Sequence, residues 1–213
     1  LGPLTAYARS KAAAEDDLAA LADERFVVTN LRFATACGMS DRLRLDLVLN
    51  DFVAGALTSG KIDILSDGTP WRPLIHVRDM ARAIDWAIDR EPDNGGDALS
   101  INVGSDVWNY QVRELADAVA RILPGTEVAV NPDAPPDKRS YRVSFAQFAE
   151  RAPNHQPLVG LDDAVSDLVD GLQRMAFGDP DFRSSQLMRL VALETLRGKG
   201  LLTDRLEWTT KPK

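Results

Sequence analysis

Residues 26–33 read FVVTNLRF. The run is short, rich in β-branched and aromatic residues and bounded by polar ones, so it reads as a buried strand. Upstream, Pro3 and Thr5 mark a helix start, with Thr5 as the N-cap of an Ala-rich stretch from Tyr7 to about Leu21. Ala14, Leu18 and Leu21 fall there on one stripe at three- and four-residue spacing. Downstream, a loop over residues 38–44 leads to a second amphipathic helix, marked by Leu45, Leu49, Phe52, Val53, Ala56 and Leu57 and stopped by Gly60. The alternation continues with a strand at 61–65, a turn at 66–70 (SDGTP) and a strand at 72–77. Asp79 is placed to cap a helix carrying Met80, Ala83, Ile84, Ala87 and Ile88. Residues 98–103 and 127–130 read as strands, and 112–123, 161–175 and 182–198 as helices. Strands alternating with helices predict an α/β fold with a largely parallel sheet.

At 213 residues, 45% hydrophobic and 27% charged, the chain has material for one good-sized domain or one and a half small ones. Its net charge of −7 argues against gripping nucleic acid or an anionic membrane through bulk charge. Cys37 is the single cysteine, so no intrachain disulfide forms and a reducing cytoplasm is the expected compartment. The two histidines, His76 and His155, lie far apart in unlike contexts and leave no Cys/His zinc site. No apolar run approaches the ~20 residues of a membrane span. The first residues, LGPLTAYARSK, lack the apolar core of a signal peptide.

Tyr7-Ala8-Arg9-Ser10-Lys11 puts a phenol and an ammonium at i and i+4, on one helix face. An ammonium one turn away favours phenolate, the direction that suits proton transfer near neutrality. Three further blocks follow in order: FVVTNLRFATACG, ILSDGTPWRPLIHVRDMARAI and ALSINVGSDVWNYQVRELADAV. Together with the Pro-x-x-x-Tyr-x-x-x-Lys helix they closely resemble the extended short-chain dehydrogenase/reductases, and within them the NAD-dependent nucleotide-sugar epimerase/dehydratase branch. The similarity is collinear from Pro3 to about Met175.

That resemblance implies a Rossmann-like doubly wound parallel sheet with a smaller, mostly helical substrate lobe. It places the Rossmann-like part at 1–130, interleaved with lobe segments at about 35–75, and the lobe and helical tail at 131–213. It makes Tyr7 the catalytic acid/base and Lys11 the residue that tunes it and binds the nicotinamide ribose, with NAD as cofactor and NADP possible. A nucleotide-diphosphate sugar is the implied substrate. Thr35 stands where the family has a substrate-contacting Asn at a strand end, and Asn50 lies near the helix start where the family reads the nucleotide. Arg72 falls on the family's diphosphate-binding Arg; a guanidinium fork suits phosphate oxygens. The family's late phosphate Arg falls on Ala134, so Arg139 or Arg142 is expected to supply that charge, with Tyr141 between them. His76 is expected to be a structural strand-end imidazole, and Trp86, Trp108 and Met175 to be core. Helices at 12–21 and 45–57 are, by resemblance, the candidates to pair copies into a homodimer.

None of the 14 glycines falls in a Gly-x-Gly-x-x-Gly or Gly-x-x-Gly-x-x-Gly turn, which in a Rossmann domain lets backbone approach the cofactor pyrophosphate. The family's catalytic Ser/Thr, on the strand before the Tyr helix, also has no counterpart. The expectation is the C-terminal portion of such an enzyme, with an unpaired sheet edge and an exposed face on the Tyr helix. Two alternatives stand beside the epimerase/dehydratase: a non-catalytic truncated sugar-nucleotide-binding module, and an NADP-dependent 4-ketosugar reductase.

Overall fold

Thr5 opens the first helix as its residue type dictates: its Oγ1 accepts the Ala8 N–H at 3.1 Å, satisfying a donor that the helix itself cannot. The computed structural model describes residues 2, 5–131, 133 and 140–210. In chain order the elements begin with α1 (Ala6–Ala19), β1 (Val28–Phe33), β2 (Thr35–Cys37), α2 (Val48–Ser59) and β3 (Lys61–Ile64). They continue with β4 (Trp71–His76), α3 (Val77–Ile88), β5 (Ala98–Val103), β6 (Asn109–Gln111) and α4 (Val112–Ile122). Last come β7 (Glu127–Val130), α5 (Ala146–Arg151), α6 (Leu161–Arg174) and α7 (Arg189–Gly198). They divide into two units, one of Leu1–Ala36, Trp71–Tyr110 and Ser140–Val159, the other of Cys37–Pro70, Gln111–Arg139 and Gly160–Lys213. None of the described helices is long and apolar enough to cross a membrane.

In the first unit β1 and β5 pair in parallel, from Val28 opposite Ala98 to Phe33 opposite Val103. Ile75, Ala83, Trp86, Leu99, Ile101, Val103, Phe148 and Ala152 make the core beneath them. Trp86 and Phe148 meet edge to face at 5.6 Å, the arrangement ring quadrupoles favour. A second sheet has the order β2-β4-β6. Neither β2 nor β6 is among the strands expected from the sequence; at three residues each they carry too few alternations to show a period. Ala34 still donates its N–H to Val103 at 3.0 Å, and the chain then leaves β5 so that Thr35 begins β2. Thr35 therefore opens a new strand instead of closing the previous one.

Buried Arg90 ties the end of α3 to the first sheet. Its guanidinium donates to Thr29 Oγ1 at 2.7 Å and to the carbonyls of Val28 (2.9 Å), Gly96 (2.8 Å) and Asn94 (3.1 Å). Burial, with Arg151 nearby, pushes its pKa down. Asp79 is not the expected helix cap. His76 occupies that position, its Nδ1 accepting the Arg78 N–H at 3.2 Å, while Asp79 lies buried in the first turn and accepts the Leu158 and Val159 N–H groups at 2.9 and 3.2 Å.

In the second unit β3 and β7 pair in parallel, Lys61 opposite Glu127 through Ile64 opposite Val130. Leu49, Val53, Leu115, Val119, Ala164, Leu168 and Leu172, from α2, α4 and α6, are wholly buried. Leu45 and Phe52 are buried too, so the apolar face proposed for pairing copies is spent inside this unit. Gly60 takes φ +64 at the α2 C-cap and lets β3 start at the next residue. The helix expected over 182–198 is broken: Phe182–Ser184 forms a short 3₁₀ turn, and α7 begins at Arg189. Ser185 Oγ accepts the Leu187 N–H at 3.2 Å, a local bond that competes with helical pairing. Met175, expected in the core, is 51% exposed, since it caps α6 where the chain turns through Ala176 at φ 50. Trp86 and Trp108 are buried as expected.

Arg90→Met is expected to cost about 3 kcal/mol, because several buried carbonyls lose their donor at roughly 1–3 kcal/mol each. Urea unfolding measures it as a lower midpoint at unchanged slope; an unchanged midpoint would show that the clamp is dispensable.

Candidate active site

The helix that carries Tyr7 and Lys11 buries none of its residues. Tyr7 is 72% exposed, and Lys11 Nζ lies 5.7 Å from the centroid of its ring, within range of a cation–π contact. The spacing therefore does what helical geometry requires: phenol and ammonium share one face, and that face is open to a ligand.

With nothing buried, α1 is held by charge. Arg32 of β1 sends Nε to the two Glu15 oxygens at 3.0 and 2.9 Å, and its Nη2 donates to the same carboxylate. This fork-on-carboxylate geometry is the strongest ion-pair form. The hydrogen bond from Arg32 holds the Glu15 carboxyl below the usual glutamate range, with a smaller contribution from Ser100, and raises the guanidinium in turn. Glu15 lies one turn beyond Lys11 and two beyond Tyr7, so the pair fixes the rotation of the face that presents them. Glu15 is not among the residues singled out from the sequence; its i+4 spacing from Lys11 was the available signal.

A second group gathers at the start of β4. The Trp71 N–H donates to Ser140 Oγ at 3.0 Å, and the Tyr141 N–H to the Trp71 carbonyl at 3.5 Å. The Arg142 guanidinium lies over the Trp71 indole, 4.7 Å from the ring centroid. Arg72 Nη1 donates to the Trp71 carbonyl at 2.8 Å. Arg72, Tyr141 and Arg142 are thus brought to one end of one strand. Thr35, half-buried, lies in β2, the neighbour of β4. Arg139 lies outside the described residues.

Asn50 belongs to the second unit and is only 2% exposed. Its Oδ1 accepts the Gly38 N–H at 3.1 Å and its Nδ2 donates to the Arg44 carbonyl at 2.9 Å, so the amide staples the 38–44 loop. Met39 of the same loop lies across Gly171 of α6, whose added Cβ would sit 2.3 Å from the Met39 side chain. His76 is 1% exposed at its strand end, the structural role expected of it.

Residues 1–104 match the NAD dependent epimerase/dehydratase family. The resemblance read from the separated sequence blocks is borne out there. Among solved structures, the chain is similar to TunA, an NAD-dependent NDP-hexosamine 5,6-dehydratase involved in tunicamycin biosynthesis, at 21% identity and a TM-score of 0.67, over 85% of this chain and 57% of that one. MoeE5, solved with UDP-glucuronic acid and NAD, matches at 25% identity and a TM-score of 0.67, over 82% and 57%. A UDP-glucose-4-epimerase from Stenotrophomonas maltophila, solved with NAD and formylated UDP-arabinopyranose, matches at 21% and 0.64, over 82% and 56%. The chain therefore spans 56–57% of the length of these three proteins. Over that span its α/β architecture with parallel strand pairs is the Rossmann-like one they share.

Because the Glu15 carboxyl is held down in the folded chain, the stability it contributes is complete above the ordinary glutamate value of ~4.3 and fades as pH falls through the folded value. Glu15→Gln is expected to cost about 1 kcal/mol near neutrality. The gap between variant and parent should close below about pH 4, measured by denaturant midpoints across pH. A gap independent of pH would deny the ion pair this role.

Proposed function

We propose that the chain carries the proton-transfer helix and the diphosphate-binding arginines of an NAD-dependent epimerase/dehydratase acting on a nucleotide-diphosphate sugar. The observation that carries this is the exposed Tyr7 phenol with Lys11 over its ring, on residues matched by the family. Tyr7 takes the proton of a sugar hydroxyl as that carbon is oxidised and returns it on reduction. Lys11 sets a positive charge over the phenol ring and offers N–H donors to the hydroxyls of a nicotinamide ribose. That hydroxyl-and-ammonium pair fits the ribose end of NAD, and NADP equally; no glycine-rich turn in the 213 residues addresses the pyrophosphate end. When bound, NAD supplies the hydride acceptor and donor.

Arg72, with Arg142 held on Trp71, meets the sugar nucleotide's diphosphate, so that binding energy remote from the reacting carbon orients the ring. Arg142 fits the cation role that Ala134 leaves open. Tyr141, beside it and half exposed, closes against the substrate, and Thr35 offers a hydroxyl from the adjoining strand. Asn50 serves through the 38–44 loop it staples.

Incubation of the full chain with NAD and UDP-glucose, followed by sugar analysis of the product, tests the proposal. Tyr7→Phe is expected to lower turnover by at least ~100-fold, the usual scale of a general acid/base, with UDP affinity unchanged. Undiminished turnover would overturn the role of Tyr7. A parent chain that binds neither NADH nor UDP would count against the whole assignment.

A further inference from the structure

Residues 140–145 follow the chain's cation-rich stretch and form neither helix nor strand, yet they are anchored at both ends. Upstream, Ser140 and Tyr141 bond the two backbone groups of Trp71. Downstream, the buried Asn109 carboxamide accepts the Val143 N–H at 2.9 Å and donates to the Val143 carbonyl at 3.0 Å. Its second N–H bond goes to the Asp106 carbonyl, also at 3.0 Å. One side chain thus gives Val143 what a neighbouring strand would give: a donor and an acceptor on a single residue. Asp106 Oδ1 takes the next available amide, Phe145 N–H, at 2.8 Å. The Phe145 ring is seated over Gly104, where a Cβ would come within 2.7 Å of it. Arg142 lies between these anchors, over Trp71.

We infer that Asn109 is a positioning residue, holding the 140–145 segment in the one register that lays Arg142 on Trp71 beside Arg72, and so presets the cation that receives the substrate's diphosphate; this role rests on the diphosphate-binding function proposed for those arginines. The amide is required because only it offers an acceptor and two donors in one plane. Asp would keep the acceptor and set a charge against two carbonyls; Leu would remove every bond at nearly equal size. Asn109 touches no ligand itself. It acts through Arg142, whose long side chain would otherwise spread over many rotamers before each binding event.

Three variants of the full chain separate this from general support of the fold: Asn109→Leu, Arg142→Ala and their combination. Hydrogen exchange reads the clamp without any ligand. In Asn109→Leu, exchange at the Val143 amide should rise at least about tenfold, the loss of one hydrogen bond's protection, while amides of β1 and β5 hold theirs. Titration with UDP, and with inorganic pyrophosphate as a base-free probe, reads the consequence. Arg142→Ala and Asn109→Leu should each weaken binding about tenfold, as expected for one charge-assisted contact, and the double variant no more than Arg142→Ala alone. Losses that add in the double variant, or a freed Val143 amide with unchanged affinity, would overturn the positioning role. Failure of the parent chain to bind either probe would instead overturn the diphosphate assignment, with the exchange result still deciding the clamp. If Asn109→Leu does not fold, Asn109→Ala, which also removes the acceptor of the Val143 N–H, takes its place with the same expectations.

Discussion

A charge pair carries a helix that has no buried side chain. A 14-residue helix is marginal in water unless something packs or pairs with it, and α1 gains neither a core nor a staple from its own sequence. The Arg32 fork on Glu15 supplies the attachment, and its two-point geometry sets rotation as well as position. The orientation of the Tyr7 phenol and the Lys11 ammonium therefore depends on a carboxylate two turns away. Such an attachment is weaker than apolar packing and sensitive to acid, which makes the placement of the Tyr7 and Lys11 face conditional on that pair.

The cations gathered at the start of β4 are arranged on a different principle. In a chain of net charge −7, bulk potential repels a polyanion, so attraction has to be local and held in place. Trp71 provides a flat surface for Arg142, and its backbone is occupied by Ser140, Tyr141 and Arg72. Side chains supply the ladder: Asn109, at the start of β6, and Asp106 bond an irregular segment as a strand would. Asn50 repeats the device in the second unit, where one amide closes a loop that would otherwise leave its backbone groups to water. Amides suit this work because they bond in both directions without bringing a charge into the interior.

Burial of Arg90 shows the complementary choice. A guanidinium with carbonyls and one hydroxyl as its hydrogen-bond partners satisfies a loop and a strand start at once, and its fork spreads the charge over both. Asp79, buried against two amides of the segment 158–159, does the same with opposite sign. Both residues stabilise connections between elements, where hydrophobic periodicity has nothing to contribute.

Hydrophobic spacing and punctuation by themselves determined the long elements: the capped Ala-rich helix, the strands at β1, β3, β4, β5 and β7, and the Gly60 stop. They determined as well that Tyr7 and Lys11 share a face, because i and i+4 meet on any α-helix. Only the tertiary structure decided the rest. β2 and β6 exist because β4 is there to pair with them, and three residues carry no period of their own. Helix 182–198 broke because Ser185 found a nearer partner, and Asp79 ceased to be a cap because two distant amides reached it. The bonds of Glu15 with Arg32, Asn109 with Val143 and Arg142 with Trp71 join residues 17 to 71 positions apart. Pairings at such separation follow from which strands lie side by side, and spacing along the chain does not encode that.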